Sequence, residues 1–223
     1  MLLCGFSACR QAADRGAETG GSIQTSTGAA AATAVKENLK TWSFEDAAAD
    51  LLPPYISAAA GSWSIQTVED APSGVKVLVQ RSKGSGDFFN LAFVKDSSYK
   101  NLELSVRLKA LAGGEEQGGG VLWRYQDSRN YYIARANPLE DNLCLYKVVR
   151  GKRKLLKSAQ LNILPGWHEL QIQMRGRRIE CLFDGKTLLE AQDSTFPEAG
   201  RVGLWTKADA QTAFDDLAAA TLP

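Results

Sequence analysis

The chain has 223 residues, 44% of them hydrophobic, and Lys plus Arg (26) nearly balance Asp plus Glu (25), giving a net charge of +1. This size suits one sandwich-sized domain with a short extension, and its apolar content can supply a core without disulfides or metals. The balanced charge excludes an overall field that would draw the protein to nucleic acid or to anionic lipid.

The first nine residues, MLLCGFSAC, resemble the end of a bacterial lipoprotein signal peptide. Small residues precede Cys9, so Cys9 would become the acylated first residue of the mature chain. Phe6 stands where such sequences usually carry Leu, and the basic start and most of the apolar segment are missing. We predict a truncated signal peptide over 1–9; the alternatives are a true start further upstream and a chance match.

Residues 10–39 are dominated by Ala, Gly, Ser and Thr, with few large apolar side chains. Such a stretch cannot bury enough surface to order itself, so we predict a disordered linker. It would tether a folded domain over 40–223 to the lipid at Cys9, outside the cytoplasm in the bacterial envelope. The alternative is a disordered N-terminus without an anchor. No segment has the 18 or so apolar residues of a membrane-spanning helix, so membrane contact is expected only through Cys9.

From Trp42 onward the chain reads as short strands separated by turn residues. Apolar and polar residues alternate over 102–111, 167–174 and 178–183, and glycine-centred turns at Gly151 and Gly185 separate such runs. No stretch has the pattern of a long helix. The sequence therefore predicts an all-β domain, a jelly-roll sandwich of two antiparallel sheets.

A hairpin is expected where Val121–Tyr125 pairs with Asn130–Ala134. Alternation then assigns one face to Leu122, Arg124, Tyr131, Ile133 and Arg135. It assigns the other, which we predict to face the core, to Val121, Trp123, Tyr125, Tyr132 and Ala134. The first face presents two guanidinium groups and a phenol, and Arg is costly to bury unless it is paired or bound.

Cys144 and Cys181 both lie in apolar strand-like runs, LCLYKV and IECLF. In an oxidising compartment they would be able to form a disulfide, but buried free thiols are equally common in such positions. The sequence leaves both states open.

Three long runs of the chain resemble one protein family. They are GGGVLWRYQDSRNYYIARANPLEDN, GWHELQIQMRGRRIECLFDGKTLLEAQDSTF and GRVGLWTKADAQTAFDDL. They are similar to the second half of the 3-keto-disaccharide hydrolase domain family, often labelled family 16 glycoside hydrolase-like, and WSFED with GSWSIQTVEDAPSGVKVLVQ resembles its first strands. The FDGK turn is common to the concanavalin A-like superfamily, whereas WRYQDSRNYY and ARANPLEDN are more particular. The resemblance implies a concanavalin A-like jelly roll that acts on oxidised glycosides.

In jelly rolls of this kind, sugars dock on the concave sheet through aromatic faces and through Arg, Asn or Lys side chains. The residues that fit this use best are Arg124, Tyr131 and Arg135. Further candidates for contact with a saccharide are Asn137, Asn142, Lys147, Trp205 and Lys207. The alternatives are that the two arginines pair with acids such as Glu140 and hold the hairpin, and that Trp205 belongs to the core.

Retaining glucanases of family 16 carry two carboxylates on one strand, and no such motif is present. Cleavage of a 3-keto-glycoside would need a base and a group that stabilises an oxyanion. Arg124 or Lys147 are candidates for the second role. No base is identifiable, so the catalytic residues remain unassigned.

The one histidine, His168, follows Trp167 at a strand start, which favours structural support of the strand edge over catalysis or metal binding. Asp215 and Asp216, with Asp46 in the first strand, are candidate ligands for Ca²⁺, the only cofactor that the sequence suggests. Solvated carboxylates at a strand end are the alternative.

Two functions from different classes follow. The first is an extracytoplasmic domain that recognises carbohydrate and, by resemblance, hydrolyses 3-keto-glycosides. The second is a non-catalytic module of a surface lipoprotein that binds a polysaccharide or a protein partner. The sequence gives no indication of the oligomeric state.

Overall fold

The computed structural model describes residues 37–223, so the predicted signal peptide, Cys9 and most of the predicted linker lie outside the described residues. The first strand begins at Glu37, inside the predicted linker. Within the described part of the chain, no helix is long and apolar enough to cross a membrane.

Residues 37–223 contain fifteen β-strands. Their bounds are β1 Glu37–Trp42, β2 Ile56–Ala60, β3 Trp63–Thr67, β4 Lys76–Gln80, β5 Phe89–Val94, β6 Leu102–Ala112, β7 Gly119–Asp127, β8 Asn130–Asn137, β9 Asn142–Val149, β10 Lys152–Gln160, β11 His168–Arg175, β12 Arg178–Phe183, β13 Lys186–Gln192, β14 Arg201–Lys207 and β15 Gln211–Thr221.

The strands form two antiparallel sheets, which confirms the predicted jelly-roll sandwich. The eight-stranded sheet has the order β13-β12-β11-β6-β15-β4-β3, with β1 also paired to β15, and the seven-stranded sheet has the order β10-β9-β8-β7-β14-β5-β2. The predicted turns close hairpins: Arg150 and Gly151 both have positive φ (52° and 80°), as do Asp184 and Gly185 (47° and 76°). Two successive positive φ values match the right-handed twist of the strands that they join.

The main core lies between the sheets, where inward side chains of both meet. In β6, Leu104 and Val106 point into this core, and the alternate residues Ser105 and Arg107 are only partly buried. This is the period-two pattern that the sequence shows, because successive side chains of a strand leave opposite faces.

The β7–β8 hairpin pairs as predicted, with Val121 opposite Ala134 and Trp123 opposite Tyr132. The register shifts between Trp123 and Asp127, and Arg124 has φ 45°. This bulge turns Tyr125 out of the main core, where we predicted it, and into an apolar cluster on the other side of the sheet. The predicted faces of Arg124 and Tyr125 are therefore wrong, whereas those of their neighbours in the hairpin are correct.

Cys144 and Cys181 are both free and buried. Cys181 belongs to the main core, whereas Cys144 lies opposite Arg135 in the β8–β9 ladder, on the outward side of the seven-stranded sheet. Burial raises the pKa of the Cys181 thiol above its usual range. Of the two states that the sequence left open, the structure has the free thiols.

Candidate functional site

The side of the seven-stranded sheet that points away from the main core, here called the outer face, carries a second apolar cluster. Its members are at most 5% exposed: Leu91, Leu122, Tyr125, Tyr131, Ile133, Val148 and Trp205. Phe89, Phe93 and Tyr146 pack against them. An outward face this rich in aromatic rings is unusual for a sheet that needs only one apolar side, and it marks the outer face as a candidate binding surface.

Trp205 and Tyr131 form the floor of this cluster, and both are fully buried. The indole ring of Trp205 lies 5.4 Å, centre to centre, from the ring of Phe89. Neither the Trp205 Nε1 atom nor the Tyr131 hydroxyl makes a hydrogen bond of normal geometry to a described residue. Burial raises the pKa of Tyr131, so this hydroxyl keeps its proton.

Arg153, on the edge strand β10, extends across these rings. Its guanidinium carbon lies 4.6 Å from the ring centre of Tyr146, 5.7 Å from that of Phe89 and 5.8 Å from that of Trp205. In the sequence, Arg153 belongs to the basic run RGKRKLLK (residues 150–157), and such a run is interpreted as a solvated hairpin turn. That interpretation holds for its exposed neighbours Lys152 and Lys154 but misses Arg153.

Arg135 is 2% exposed and lies at the centre of a polar network beside the rings. Its Nη1 donates to Glu116 Oε2 (2.7 Å), and its Nη2 donates to Glu140 Oε2 (2.6 Å) and Asn142 Oδ1 (3.0 Å). Burial by itself would lower the pKa of Arg135, but Tyr146 and the two carboxylates raise it above its usual value. Pairing of Arg135 with Glu140, the alternative to ligand contact in the sequence analysis, is present, and Glu116 is an additional partner.

Glu116 is the buried carboxylate of the network, with 4% exposure. Besides Arg135, it accepts hydrogen bonds from Asn137 Nδ2 (2.9 Å) and Lys207 Nζ (2.8 Å). The loop that carries Glu116 is held by Asp209, whose carboxylate accepts the backbone N–H groups of residues 114–116. This role is not visible in the sequence, because Glu116 lies in a glycine-rich loop and contacts its partners only in the folded protein.

Asn142 completes the network by donating from Nδ2 to Glu140 Oε2 (2.9 Å). Partial burial alone would raise the pKa of Glu140, but Asn142 and Arg135 hold it below its usual value. An open depression of about 410 Å³ lies beside these groups and is lined by Asn142, Cys144, Tyr146, Leu155 and residues 158–160.

Most of the predicted ligand-binding residues thus come together on the outer face. They are Tyr131, Arg135, Asn137, Asn142, Trp205 and Lys207. The two that do not are Arg124 and Lys147.

Arg124 points to one end of the sandwich and is 1% exposed. Its guanidinium donates to the backbone carbonyls of Lys100, Phe196 and Gly176 at 2.6 to 3.0 Å. The bulge in β7 explains this departure from the predicted ligand face. Arg124 joins three loops of the sandwich instead, because carbonyl oxygens satisfy its donors.

Lys147 lies opposite Tyr132 in the ladder and therefore on the inward side of its strand. Its Nζ donates to Asp193 Oδ2 (2.5 Å) and Thr195 Oγ1 (2.8 Å). Burial alone would raise the pKa of Asp193, but hydrogen bonds from Lys147, Thr195 and Tyr132 lower it to about 2. Lys147 thus anchors the loop after β13 and does not reach the outer face.

Asp215 is fully buried at a bulge in β15. It accepts hydrogen bonds from the backbone N–H of Ser73 (3.0 Å) and of Asp216 (2.7 Å), and Asp216 accepts one from Ser73 Oγ (2.6 Å). Burial and the nearby charge of Asp216 raise the pKa of Asp215 to about 6, although the two N–H groups oppose the shift.

Asp46, the third predicted calcium ligand, accepts a hydrogen bond from Tyr55 (3.4 Å) and does not join the other two. The carbonyl oxygens on either side of it, of Glu45 and Ala47, accept the ammonium group of Lys76 (2.9 and 2.8 Å). Within residues 37–223, no three His, Cys, Asp or Glu side chains are grouped to hold a metal ion. The residues present therefore do not fit the predicted calcium site.

His168 is engaged at both ring nitrogens, with Asp184 Oδ2 at 2.8 Å from Nδ1 and the Leu164 carbonyl at 2.7 Å from Nε2. Its ring stacks on Phe183 at 5.0 Å. These contacts tie the start of β11 to the turn after β12, in agreement with the predicted structural role.

No family model and no curated protein matches the chain. Solved structures do. The carbohydrate binding module CBM66 from Bacillus subtilis superposes with a TM-score of 0.62 at 19% identity, over 75% of this chain and 94% of that one. A protein of unknown function with a galectin-like fold from the same species gives 0.55 at 12% identity, over 74% and 88%. The GH43 protein BlXynB from Bacillus licheniformis gives 0.55 at 15%, over 77% of this chain and 37% of that one. At these identities the likeness establishes the jelly-roll fold alone.

Proposed function

We propose that the domain binds a saccharide on its outer face. The observation that carries this proposal is the meeting, on one outward surface, of an aromatic group and a polar network. The partly exposed rings of Phe89 and Tyr146, in one cluster with the buried Trp205, supply the first, and Arg135 with Glu116 organises the second. A carbohydrate binding module is among the structures with a similar fold, which supports the proposal by analogy.

The aromatic rings of this surface suit the C–H groups of a sugar, and its polar network suits the hydroxyl groups. Aromatic faces pack against the C–H groups of a pyranose or furanose ring, and fixed polar groups bond its hydroxyls. Glu140, 45% exposed, and the partly buried Asn142 lie at the solvent-facing edge of the network, already oriented by Arg135. This pre-organisation reduces the entropy that binding would otherwise cost.

The arrangement supports binding more directly than cleavage. Glu116 is held by two cations, Arg135 and Lys207, so its carboxylate is not a free base. Arg124 and Lys147, the candidates for stabilising an oxyanion, lie off the outer face. Hydrolysis of 3-keto-glycosides, which the sequence resemblance implies, is therefore a further proposal that only product analysis can establish.

We also propose that the protein is exported and held in the bacterial envelope by acylation of Cys9. This part rests on the sequence alone, through the lipobox-like segment before Cys9 and the composition of residues 10–39. Mass analysis of the mature N-terminus from an exporting host tests it. An acylated Cys9 supports the anchor, and an unmodified Met1 overturns it.

The binding proposal is tested by heat denaturation of the protein against a panel of oligosaccharides that includes 3-keto-glucosides, with product analysis of every sample. A ligand that binds only the native state raises the melting temperature. A rise without released sugar establishes a binding module, and a rise with released sugar establishes an enzyme. The absence of a rise across the panel would favour the second hypothesis, a module that binds a protein partner.

A further inference from the structure

Three arginines of the seven-stranded sheet are stabilised in very different ways. Arg124 donates to backbone carbonyls, and Arg135 pairs with two carboxylates. Arg153 packs against aromatic rings and is close enough to Glu140 for its charge to contribute to the lowered pKa of that carboxyl. Within residues 37–223 it forms no salt bridge and donates no hydrogen bond, and its Nη1 is buried without a partner. A guanidinium carries five donors and a permanent charge, so a half-buried one without an acceptor lacks its natural partner.

Other donors around Arg153 are also unmet. The buried atoms of the outer face without a hydrogen bond of normal geometry to a described residue are Tyr131 Oη, Arg135 Nε, Arg153 Nη1 and Trp205 Nε1, and of these Trp205 and Tyr131 lie close enough for the indole to act on the tyrosine hydroxyl. The three nitrogen atoms can only donate, and the protonated tyrosine hydroxyl can donate as well. Glu116, the buried carboxylate nearby, already accepts from Arg135, Asn137 and Lys207. Glu140, the other carboxylate of this surface, accepts from Arg135 and Asn142 and is half-exposed. The buried atoms of the surface that lack a partner are therefore mainly donors.

We infer that the saccharide bound on the outer face carries an oxyanion, the carboxylate of a uronic acid or a sulfate ester, and that Arg153 binds this group. The inference rests on the proposed function and narrows its ligand class. An oxyanion supplies the acceptors that the surface lacks, and its geometry matches the paired N–H groups of a guanidinium. A sugar ring packed on the neighbouring aromatic faces would exclude water from one side of this contact, which strengthens the attraction between the two charges.

The position of Arg153 allows this contact without a rearrangement of the sheet. It lies on the edge strand β10, where its neighbours Lys152 and Lys154 are exposed. No hydrogen bond has to be broken for its side chain to turn away from Tyr146 and Trp205. A sugar ring can then occupy the aromatic faces that the guanidinium covers, while the guanidinium binds the oxyanion beside them.

The test uses matched pairs of ligands with the full chain. Oligosaccharides that contain uronic acid are compared by calorimetry with their carboxyl-reduced counterparts, and sulfated oligosaccharides form a third arm. We expect at least about tenfold tighter binding of the charged member of a pair, and weaker binding at high salt. Arg153→Gln should reduce the tenfold preference to near onefold, and Arg153→Lys should retain part of it because the charge remains.

Lys154→Gln is the matched control, because it removes the same charge from the next residue of β10, which points to the other side of the strand. It should leave the preference intact, and near-ultraviolet circular dichroism should show native packing for all three variants. Equal binding of charged and neutral members, unaffected by Arg153→Gln, would overturn the inference and leave the proposed function standing. Equal losses in Arg153→Gln and Lys154→Gln would also overturn it. A panel in which no saccharide binds would overturn both.

Discussion

Arg135 contacts two carboxylates whose environments differ sharply. The side chain of Glu116 is 6% exposed, and that of Glu140 is 45% exposed, although their distances to the guanidinium are nearly equal (2.7 and 2.6 Å). Burial determines how much each ion pair contributes to stability, because water screens the exposed pair and competes for its hydrogen bonds. Removing the buried partner leaves Arg135 with only the half-exposed Glu140 and Lys207 with only the exposed Asp87 (3.6 Å), so both cations lose their buried counter-charge.

We therefore predict that Glu116→Gln lowers the free energy of unfolding by about 3 kcal/mol, the usual cost of breaking a buried ion pair. Glu140→Gln, the matched control on the same guanidinium, should cost less than about 1 kcal/mol. Urea denaturation at pH 7 measures both. Equal costs for the two variants would show that burial does not govern this network.

The lowered pKa of Asp193 predicts how the free energy of unfolding changes at acidic pH. A carboxyl whose pKa falls to about 2 on folding stabilises the native state above its unfolded value, near 4, and loses that contribution as the pH falls toward 2. Asp193→Asn should therefore cost about 1 to 2 kcal/mol at pH 7, after allowance for partial solvent screening, and progressively less below pH 4. Urea denaturation of both proteins from pH 7 to pH 2.5 measures the difference. A difference that stays constant over this range would contradict the assignment.

At the scale of the strand, the bulge in β7 decides which side chains reach the outer face. It sends Arg124 to the end of the sandwich and Tyr125 to the outer face, against the alternation that holds up to Trp123. No residue type in this stretch indicates a bulge, because the residue with positive φ is Arg124 and not a glycine. The bulge has room only because Gly200, just before β14, carries no side chain. A Cβ on Gly200 would lie 2.7 Å from Arg124 Cα.

Gly200→Ala is accordingly predicted to destabilise the protein by at least about 2 kcal/mol, because the added carbon would meet the backbone of Arg124, which cannot turn aside as a side chain can. Gly114→Ala is the control, since its Cβ would meet only Asp209 Oδ2 at 3.7 Å. Thermal unfolding compares the two. A Gly200→Ala protein as stable as the control would show that the bulge is not held by this contact.

For the molecule as a whole, local sequence patterns predict the strands and the hairpins between consecutive strands. Alternation and turn residues predict consecutive hairpins, and β7, β8 and β9 form such a series. The residues that these strands bring to the outer face, among them Tyr131 and Arg135, could therefore be identified from the sequence.

What the sequence could not show are the long-range partners. β14 inserts between β7 and β5, which places Trp205 and Lys207 next to groups far away in the chain. Glu116 joins them from a loop, and Arg153 from an edge strand whose composition resembles a solvated surface. Their roles depend on contacts that exist only after both sheets have formed, so periodicity carries no information about them.

The central claim, that a saccharide docks on the outer face, is tested most directly by the indole N–H resonances of the five tryptophans, all of which lie in the described part of the chain. Trp205 is on the outer face, Trp123 is in the main core, and Trp167 packs in an apolar cluster with β4 and β15. During titration with a saccharide that raises the melting temperature, the Trp205 resonance, assigned with a Trp205→Phe variant, should shift while those of Trp123 and Trp167 stay in place. A shift of Trp167 with an unchanged Trp205 would place the ligand on the eight-stranded sheet and contradict the account.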